Sequence, residues 1–186
     1  MNAMDSAEKW LDNEDGSQRD HRLQRLRWLE EQMLKVDWIL YGTGPISKYL
    51  FEEARYCFAY GQYLASIILG LAFIEVSLGG AFYGAGRNDL QKAGIAELSK
   101  EALQSGWLSE DDYEAIEKIR RYRNPITHFR PPGHDDRVEA RAFYSQTANT
   151  YEIIEQDARK VMETVFRLLL KIVPWAAREL PSNERE

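Results

Sequence analysis

Residues 64–83, LASIILGLAFIEVSLGGAFY, form a twenty-residue run whose only charged side chain is Glu75. A run this long and apolar has two physical solutions. It crosses a bilayer, which takes about 20 apolar residues, or it becomes the central helix of a helical protein, buried on most sides. Glu75 near the middle and the Gly79-Gly80 pair near the end disfavour a span, because an ionised side chain in hydrocarbon is expensive. The run is also alone of its kind in a chain of negative mean hydropathy. The expectation is a core helix of a soluble bundle, with no membrane association.

The flanking sequence repeats the helical period. Leu26, Leu29, Met33, Val36 and Leu40 recur at three- and four-residue steps, so a helix is expected from about Asp20. YGTGP at 41–45 interrupts it, and Pro45 suits the first turn of the next helix, 46–60. Gly61 allows a bend into the apolar helix, whose stripe runs Leu64, Ile68, Leu71, Glu75, Leu78, Phe82. After a loop at 83–89, residues 89–104 read as a helix closed by Ser105-Gly106. Ser109 followed by Glu110, Asp111 and Asp112 is a helix start with acidic groups at its positive end. Pro131-Pro132-Gly133 is a stop. Residues 136–172 are helical again, with a break near 145–150, and Pro174 ends them. There is no two-residue alternation, hairpin signal or repeat. The fold class is therefore all-α, an up-and-down bundle of four to five helices. The organisation expected is a flexible acidic N-terminus at 1–18, one helical domain at 19–180 and a polar tail at 181–186.

The 186 residues, 44% hydrophobic and 12% aromatic, can bury a real core. The net charge of −6 excludes a polycation that coats nucleic acid, though not a local basic patch. Cys57 is the only cysteine, so there is no internal disulfide and no Cys-x-x-Cys metal or redox motif. It reads as a small core side chain. A reducing compartment and a polar, acidic N-terminus without an apolar signal segment point to the cytoplasm.

The chemistry gathers in residues 118–136, KIRRYRNPITHFRPPGHDD. From Lys118 to Arg141, seven basic residues stand against three acidic ones, which leaves +4 locally and −10 for the rest of the chain. Pro125 lacks an N–H and disfavours the α conformation at Asn124, so the helix from Glu110 is expected to kink or end there. One arrangement makes Asn124 the cap of a new short helix with Pro125 at its first position. That would set backbone N–H groups and a positive helix end beside Arg123, a place for an anion. On an unbroken helix Arg123 and His128 diverge by about 140°, and a kink would bring them together. Arginine offers a fixed fork of donors to phosphate. Histidine exchanges protons near neutral pH, and Asn orients a hydroxyl or phosphate oxygen. With the 2′-OH of RNA as nucleophile, such a site needs no metal.

RNPITH resembles the Arg-polar-x-x-x-His signature of the HEPN superfamily (higher eukaryotes and prokaryotes nucleotide-binding). The apolar helix with its Glu, and the approach LSKEALQSGWLSEDDYEAIEKIRRYR, resemble that family's preceding elements, so the likeness covers roughly residues 45–170. It implies a HEPN-like four- to five-helix bundle that forms a homodimer with the two motifs facing each other. In active members the Arg and His, assisted by the residue after the Arg, form a metal-independent endoribonuclease that leaves 2′,3′-cyclic phosphates. Carried over, the catalytic residues are Arg123, Asn124 and His128. Many members are toxins restrained by an antitoxin, or phage-defence effectors. Others are inactive nucleotide-, RNA- or protein-binding dimerisation modules. Pro125 directly after the Asn departs from the usual pattern.

Around the motif, Arg120, Arg121 and Arg130 are candidates to grip RNA backbone, or form a solvated helix face. Thr127 is a supporting residue. Glu75 either orients Arg123 or Arg120, or makes a salt bridge that fixes the bundle. Tyr122 and Phe129 either stack on bases or belong to core or interface. His134-Asp135 suggests a metal phosphohydrolase, but the only other histidines are His21 and His128, so no metal is expected. No Gly-rich phosphate loop, Ser elbow or dinucleotide fingerprint appears, so no cofactor is expected either. A helical assembly protein, with helix 62–83 or the C-terminal helix as its seam, is the remaining class.

Overall fold

A helix that is apolar on every side has to be surrounded. The computed structural model describes residues 3–33, 43–147 and 149–172. Among these, every regular element is helical: α1 (Ala3–Gln32), α2 (Pro45–Ala59), α3 (Tyr63–Gly84), α4 (Ile95–Gln104), α5 (Glu110–Thr127), α6 (Val138–Tyr144) and α7 (Thr150–Ile172), with a 3-10 turn at Asn88–Leu90. The described residues therefore hold seven α-helices, more than the four or five expected. α3 is the axis of this all-helical bundle and packs chiefly on α2 and α7, then on α5 and α4. It is the one described helix long and apolar enough to cross a membrane, and ten of its residues are buried.

The stripe read from the sequence is only half of the buried surface of α3. Leu71, Leu78 and Phe82 are buried, while Leu64 is exposed and Glu75 half-buried. A second row, Tyr63, Ile67, Gly70, Ile74 and Ser77, is buried as well. Periodicity cannot choose a face on a helix that is apolar all round. At Gly70 the backbone of α3 comes up against α7: an added Cβ would lie 2.5 Å from Val161 Cγ1. Beside it, Phe51 of α2 packs on Phe73 at 5.5 Å and edge-on to Phe166 of α7 at 5.7 Å. Cys57 is buried in the same layer without a disulfide partner, and burial pushes its thiol pKa up.

α1 departs most from expectation. Helix begins at Ala3 rather than near Asp20, running through Gly16-Ser17 with an Arg22–Asp15 ion pair at 3.1 Å. Leu26 and Met33 of the expected stripe are exposed, and Leu29 is buried. Val36, Leu40, Pro174 and the tail 181–186 lie outside the described residues. The anchor is instead the buried Arg25, whose Nε donates to Ala59 O at 2.9 Å and Nη1 to Tyr63 Oη at 3.3 Å. These bonds clamp α1 to the α2–α3 corner, where Gly61 takes φ +76°, a conformation glycine adopts without strain. α4 starts at Ile95, later than expected, because residues 88–90 form only a 3-10 turn. The break expected near 145–150 lies between Tyr144 and Thr150.

The helix start at Ser109 is a full capping box. Ser109 Oγ accepts from the Asp112 N–H at 3.3 Å, and Asp112 Oδ2 accepts from the Ser109 N–H at 3.1 Å. Asp112 is buried and also takes Lys171 Nζ at 2.6 Å and Arg167 Nε at 3.2 Å from α7. Burial pushes its carboxyl pKa up, but Lys171 and Ser109 outweigh burial and bring it below the usual carboxylate range. One residue thus starts α5 and ties it to α7, which fixes the helix whose far end carries the motif.

Candidate functional site at the end of helix α5

α5 does not stop at Asn124. It runs through Pro125 to Thr127, and the N–H of His128 donates to Asn124 O at 2.9 Å. Asn124 is therefore inside the last turn, not a cap, and no new helix starts at Pro125. The expected arrangement is overturned, because one turn of helix tolerates the ring when only the Arg121 carbonyl loses its amide partner. The consequence is electrostatic. The motif sits at a helix C-terminus, whose partial charge favours cations, so an anion here must be held by side chains rather than by backbone N–H groups.

Arg123 and His128 nevertheless meet. His128 leaves the helix with extended backbone angles (φ −132°, ψ 134°), and its Nε2 lies 3.4 Å from Arg123 Nη1. The guanidinium can only donate, so the contact is a hydrogen bond when Nε2 carries the lone pair and Nδ1 the proton. Thr127 tethers the arginine. Its Oγ1 accepts from Arg123 Nη1 at 3.4 Å and donates to Arg123 O at 3.3 Å. His128 and Thr127 are exposed, and Arg123 and Asn124 are half-buried.

The basic residues around the pair divide into spent and unspent charge. Arg120 is held by Glu117 at 2.6 Å, Arg137 by Glu139 at 2.6 Å, and Arg141 by the buried Asp157. Lys118, Arg121, Arg123 and Arg130 have no carboxylate partner among the described residues. Arg130 Nε is buried with no hydrogen-bond partner among the described residues. The free positive charge among the described residues therefore belongs to Arg123, Arg121, Arg130 and Lys118, while Arg120 is already neutralised by Glu117.

Other candidates separate from the pair. Glu75 orients neither Arg123 nor Arg120. It lines a different groove with Gly79, Gly80 and Tyr83, and no ion pair engages it among the described residues. Tyr122 belongs to the core: it is buried, Arg141 lies 4.8 Å over its ring, and burial pushes its pKa up to about 12. Phe129 is the opposite, 84% exposed directly after His128. His134 Nδ1 accepts the Asp136 N–H at 3.2 Å, and no cluster of His, Cys, Asp or Glu able to hold a metal occurs among the described residues.

No family model matches the chain, nor does any curated protein or solved structure. The functional reading of the site rests on its residues and their geometry.

A feature invisible to sequence reasoning adjoins the pair. An open groove of about 440 Å³ runs between α5, α3, α7 and the start of α6, lined by Pro125, Ile126, Phe129 and Arg130 on one side and by Leu64 and Ile154 on the other. Leu64 and Ile154 are 90 residues apart in the chain. Only the exposure of a leucine expected in the core marks the place.

Proposed function

We propose that this chain acts on RNA as a HEPN-like, metal-independent endoribonuclease, with Arg123, Asn124 and His128 as its catalytic residues. The observation that carries the reading is the 3.4 Å approach of Arg123 Nη1 to His128 Nε2 on an exposed helix end, with no carboxylate on the arginine among the described residues. An unneutralised guanidinium beside an exposed imidazole is a phosphate-handling pair. In the proposed reaction the Arg123 guanidinium turns from His128 to the phosphate, and the Nε2 lone pair so released takes the proton of a ribose 2′-OH, whose oxygen attacks the adjacent phosphorus. Arg123 stabilises the charge that develops on the phosphoryl oxygens. The P–O5′ bond breaks and the leaving oxygen takes a proton, giving a 2′,3′-cyclic phosphate and a 5′-hydroxyl. Asn124 orients a phosphate oxygen or the hydroxyl.

Each chain supplies one such histidine, and the two proton transfers are divided most simply between two. A homodimer with paired motifs therefore belongs to the proposal, as does an RNA substrate in the cytoplasm. An RNA-cutting activity of this kind suits a toxin or phage-defence effector held by an antitoxin or other protein partner.

A second reading, a non-catalytic module that binds nucleotide, RNA or protein in the same place, has one observation in its favour. Arg123 Nη1 is already engaged within its own chain by Thr127 and His128.

RNA cleavage in EDTA separates the two. Wild type should cut and leave cyclic-phosphate ends. Arg123→Ala and His128→Ala, verified as folded by circular dichroism and of wild-type oligomeric state by light scattering, should each lose at least about 100-fold. Intact RNA with wild-type protein across several substrates rejects the enzyme reading.

A further inference from the structure

The groove beside the pair has a composition that a phosphate site alone does not need. Its floor is apolar, from Leu64 of α3, Ile126 of α5 and Ile154 of α7, and Pro125 forms part of the wall. Its volume, about 440 Å³, is in the range of small-molecule sites. Phe129 stands at its edge with 84% of its surface exposed, one residue from His128.

Two guanidiniums and the Glu139 carboxylate border it, and the two guanidiniums differ. Arg137 is occupied: it donates to Glu139 Oε1 at 2.6 Å and to Arg130 O at 3.0 Å. The Arg130 side chain makes no hydrogen bond or ion pair among the described residues, and its Nε is buried without a partner. With Arg137 and Glu139 neutralising each other, the groove joins apolar side chains, an exposed aromatic ring and one donor fork with no partner among the described residues. The complementary ligand has a flat π-face, an acceptor-rich edge and negative charge, which describes a nucleotide.

We infer that this groove is a nucleobase subsite for a guanine nucleotide, with Phe129 as the stacking surface and Arg130 reading the base edge. The inference rests on the phosphodiester reading of Arg123 and His128, since the base it holds is the one next to the phosphate at that pair. Aromatic side chains stack on bases without regard to sequence, so Phe129 supplies affinity. Selectivity comes from Arg130. Guanine presents O6 and N7 as two adjacent acceptors that fit the guanidinium fork, whereas adenine places an N6 donor beside N7 and repels it. Pyrimidines stack over less area.

The test is calorimetric titration of the full chain with 3′-GMP, 3′-AMP, 3′-UMP and inorganic phosphate, using wild type, Phe129→Ala, Phe129→Trp and Arg130→Lys. Phe129 is exposed, so its replacement leaves the core intact. The expected result is 3′-GMP bound about fivefold or more tighter than the other two nucleotides, weakened by a similar factor in Phe129→Ala and restored in Phe129→Trp. Arg130→Lys should level the three bases, and weak phosphate binding should not change with Phe129→Ala. Absence of nucleotide binding to wild type, equal affinity for all three bases, or unchanged 3′-GMP affinity in Phe129→Ala overturns the subsite. RNA left intact by wild type, with guanine selectivity still present and Phe129-dependent, rejects the ribonuclease reading and keeps the subsite. RNA cut in an Arg123- and His128-dependent way, with no sequence preference and no Phe129 effect, does the reverse.

Discussion

The 3.4 Å between Arg123 Nη1 and His128 Nε2 spans the end of α5. Five residues apart on a continuing helix, the two side chains would diverge by about 140°. The extended backbone of His128 turns its ring back over the last helical turn, where Thr127 Oγ1 holds the same arginine nitrogen. The pair is therefore a property of a helix terminus, and its geometry depends on the short side chains that fix that terminus.

Thr127 should act through Arg123 rather than on substrate. Thr127→Val keeps the shape and removes the hydroxyl that accepts from Arg123 Nη1. One ordinary hydrogen bond is worth about 0.5–1.5 kcal/mol, so cleavage should fall by about 2- to 12-fold, and Thr127→Ser should recover it. Initial rates at saturating and limiting RNA will locate the loss. An unchanged rate in Thr127→Val would mean that the tether has no part in positioning the arginine.

Pro125 deprives the Arg121 carbonyl of its helical partner. Pro125→Ala restores an N–H there, worth about 1 kcal/mol, and relieves the clash of the ring with the preceding turn. Against this, alanine loosens the unfolded chain, at about 0.4–1 kcal/mol. The first and last terms nearly cancel, so the net expectation is the relief of the clash, a gain of up to about 1 kcal/mol at this helix end and a rise of up to about 4 °C in Tm for a chain of this size, read by thermal melting. A lower Tm would show that packing of the ring in the wall of the groove outweighs the missing hydrogen bond.

Much of this was legible beforehand for physical reasons. Ser109 with Asp112 is local chemistry, as are Gly61 at a bend and the all-helical pattern, and local chemistry can be read along a chain. Residue types at the site were legible too, since only Arg, Asn and His in 123–128 offer phosphate chemistry. What failed depended on three dimensions. Nothing along the chain marks Arg25, yet it is the buried anchor of α1, because its partners Ala59 and Tyr63 are more than 30 residues away. Proline after Asn124 reads as a break, yet the last turn of a helix absorbs it. Glu75 reads either as an orienter of Arg123 or Arg120 or as a salt bridge that fixes the bundle, yet no ion pair engages it among the described residues and it lines a different groove.

Asp112 predicts a specific acid response. Its folded pKa is lowered, so its contribution to stability is present above the unfolded value, near 3.9, and disappears as pH falls through the folded value. Asp112→Asn removes the charge that Lys171 and Arg167 bind and half of the capping box, and should destabilise by about 2–4 kcal/mol at pH 7. Urea denaturation of both proteins from pH 7 to pH 3 should show the gap constant at neutral pH and closing below about pH 4. A gap that stays constant to pH 3 would assign the effect to lost packing rather than to charge.

Spent and unspent arginines should differ in the salt dependence of RNA binding. Each phosphate neutralised on single-stranded nucleic acid contributes about −0.7 to the slope of log K against log salt. Arg121 is exposed and carries no carboxylate among the described residues, so Arg121→Ala should make the slope shallower by about 0.7. Arg120 already holds Glu117 through two nitrogens, and moving it to a phosphate would break that pair. Arg120→Ala should therefore change the slope by less than half as much, although it lies one residue away with the same charge. Fluorescence anisotropy of a labelled single-stranded RNA, from about 50 to 200 mM salt, gives all three slopes. His128→Ala in the background keeps the RNA uncut during titration. Equal changes for Arg120 and Arg121 would mean that Glu117 releases its arginine to RNA, and that the positive surface extends along the whole C-terminal half of α5.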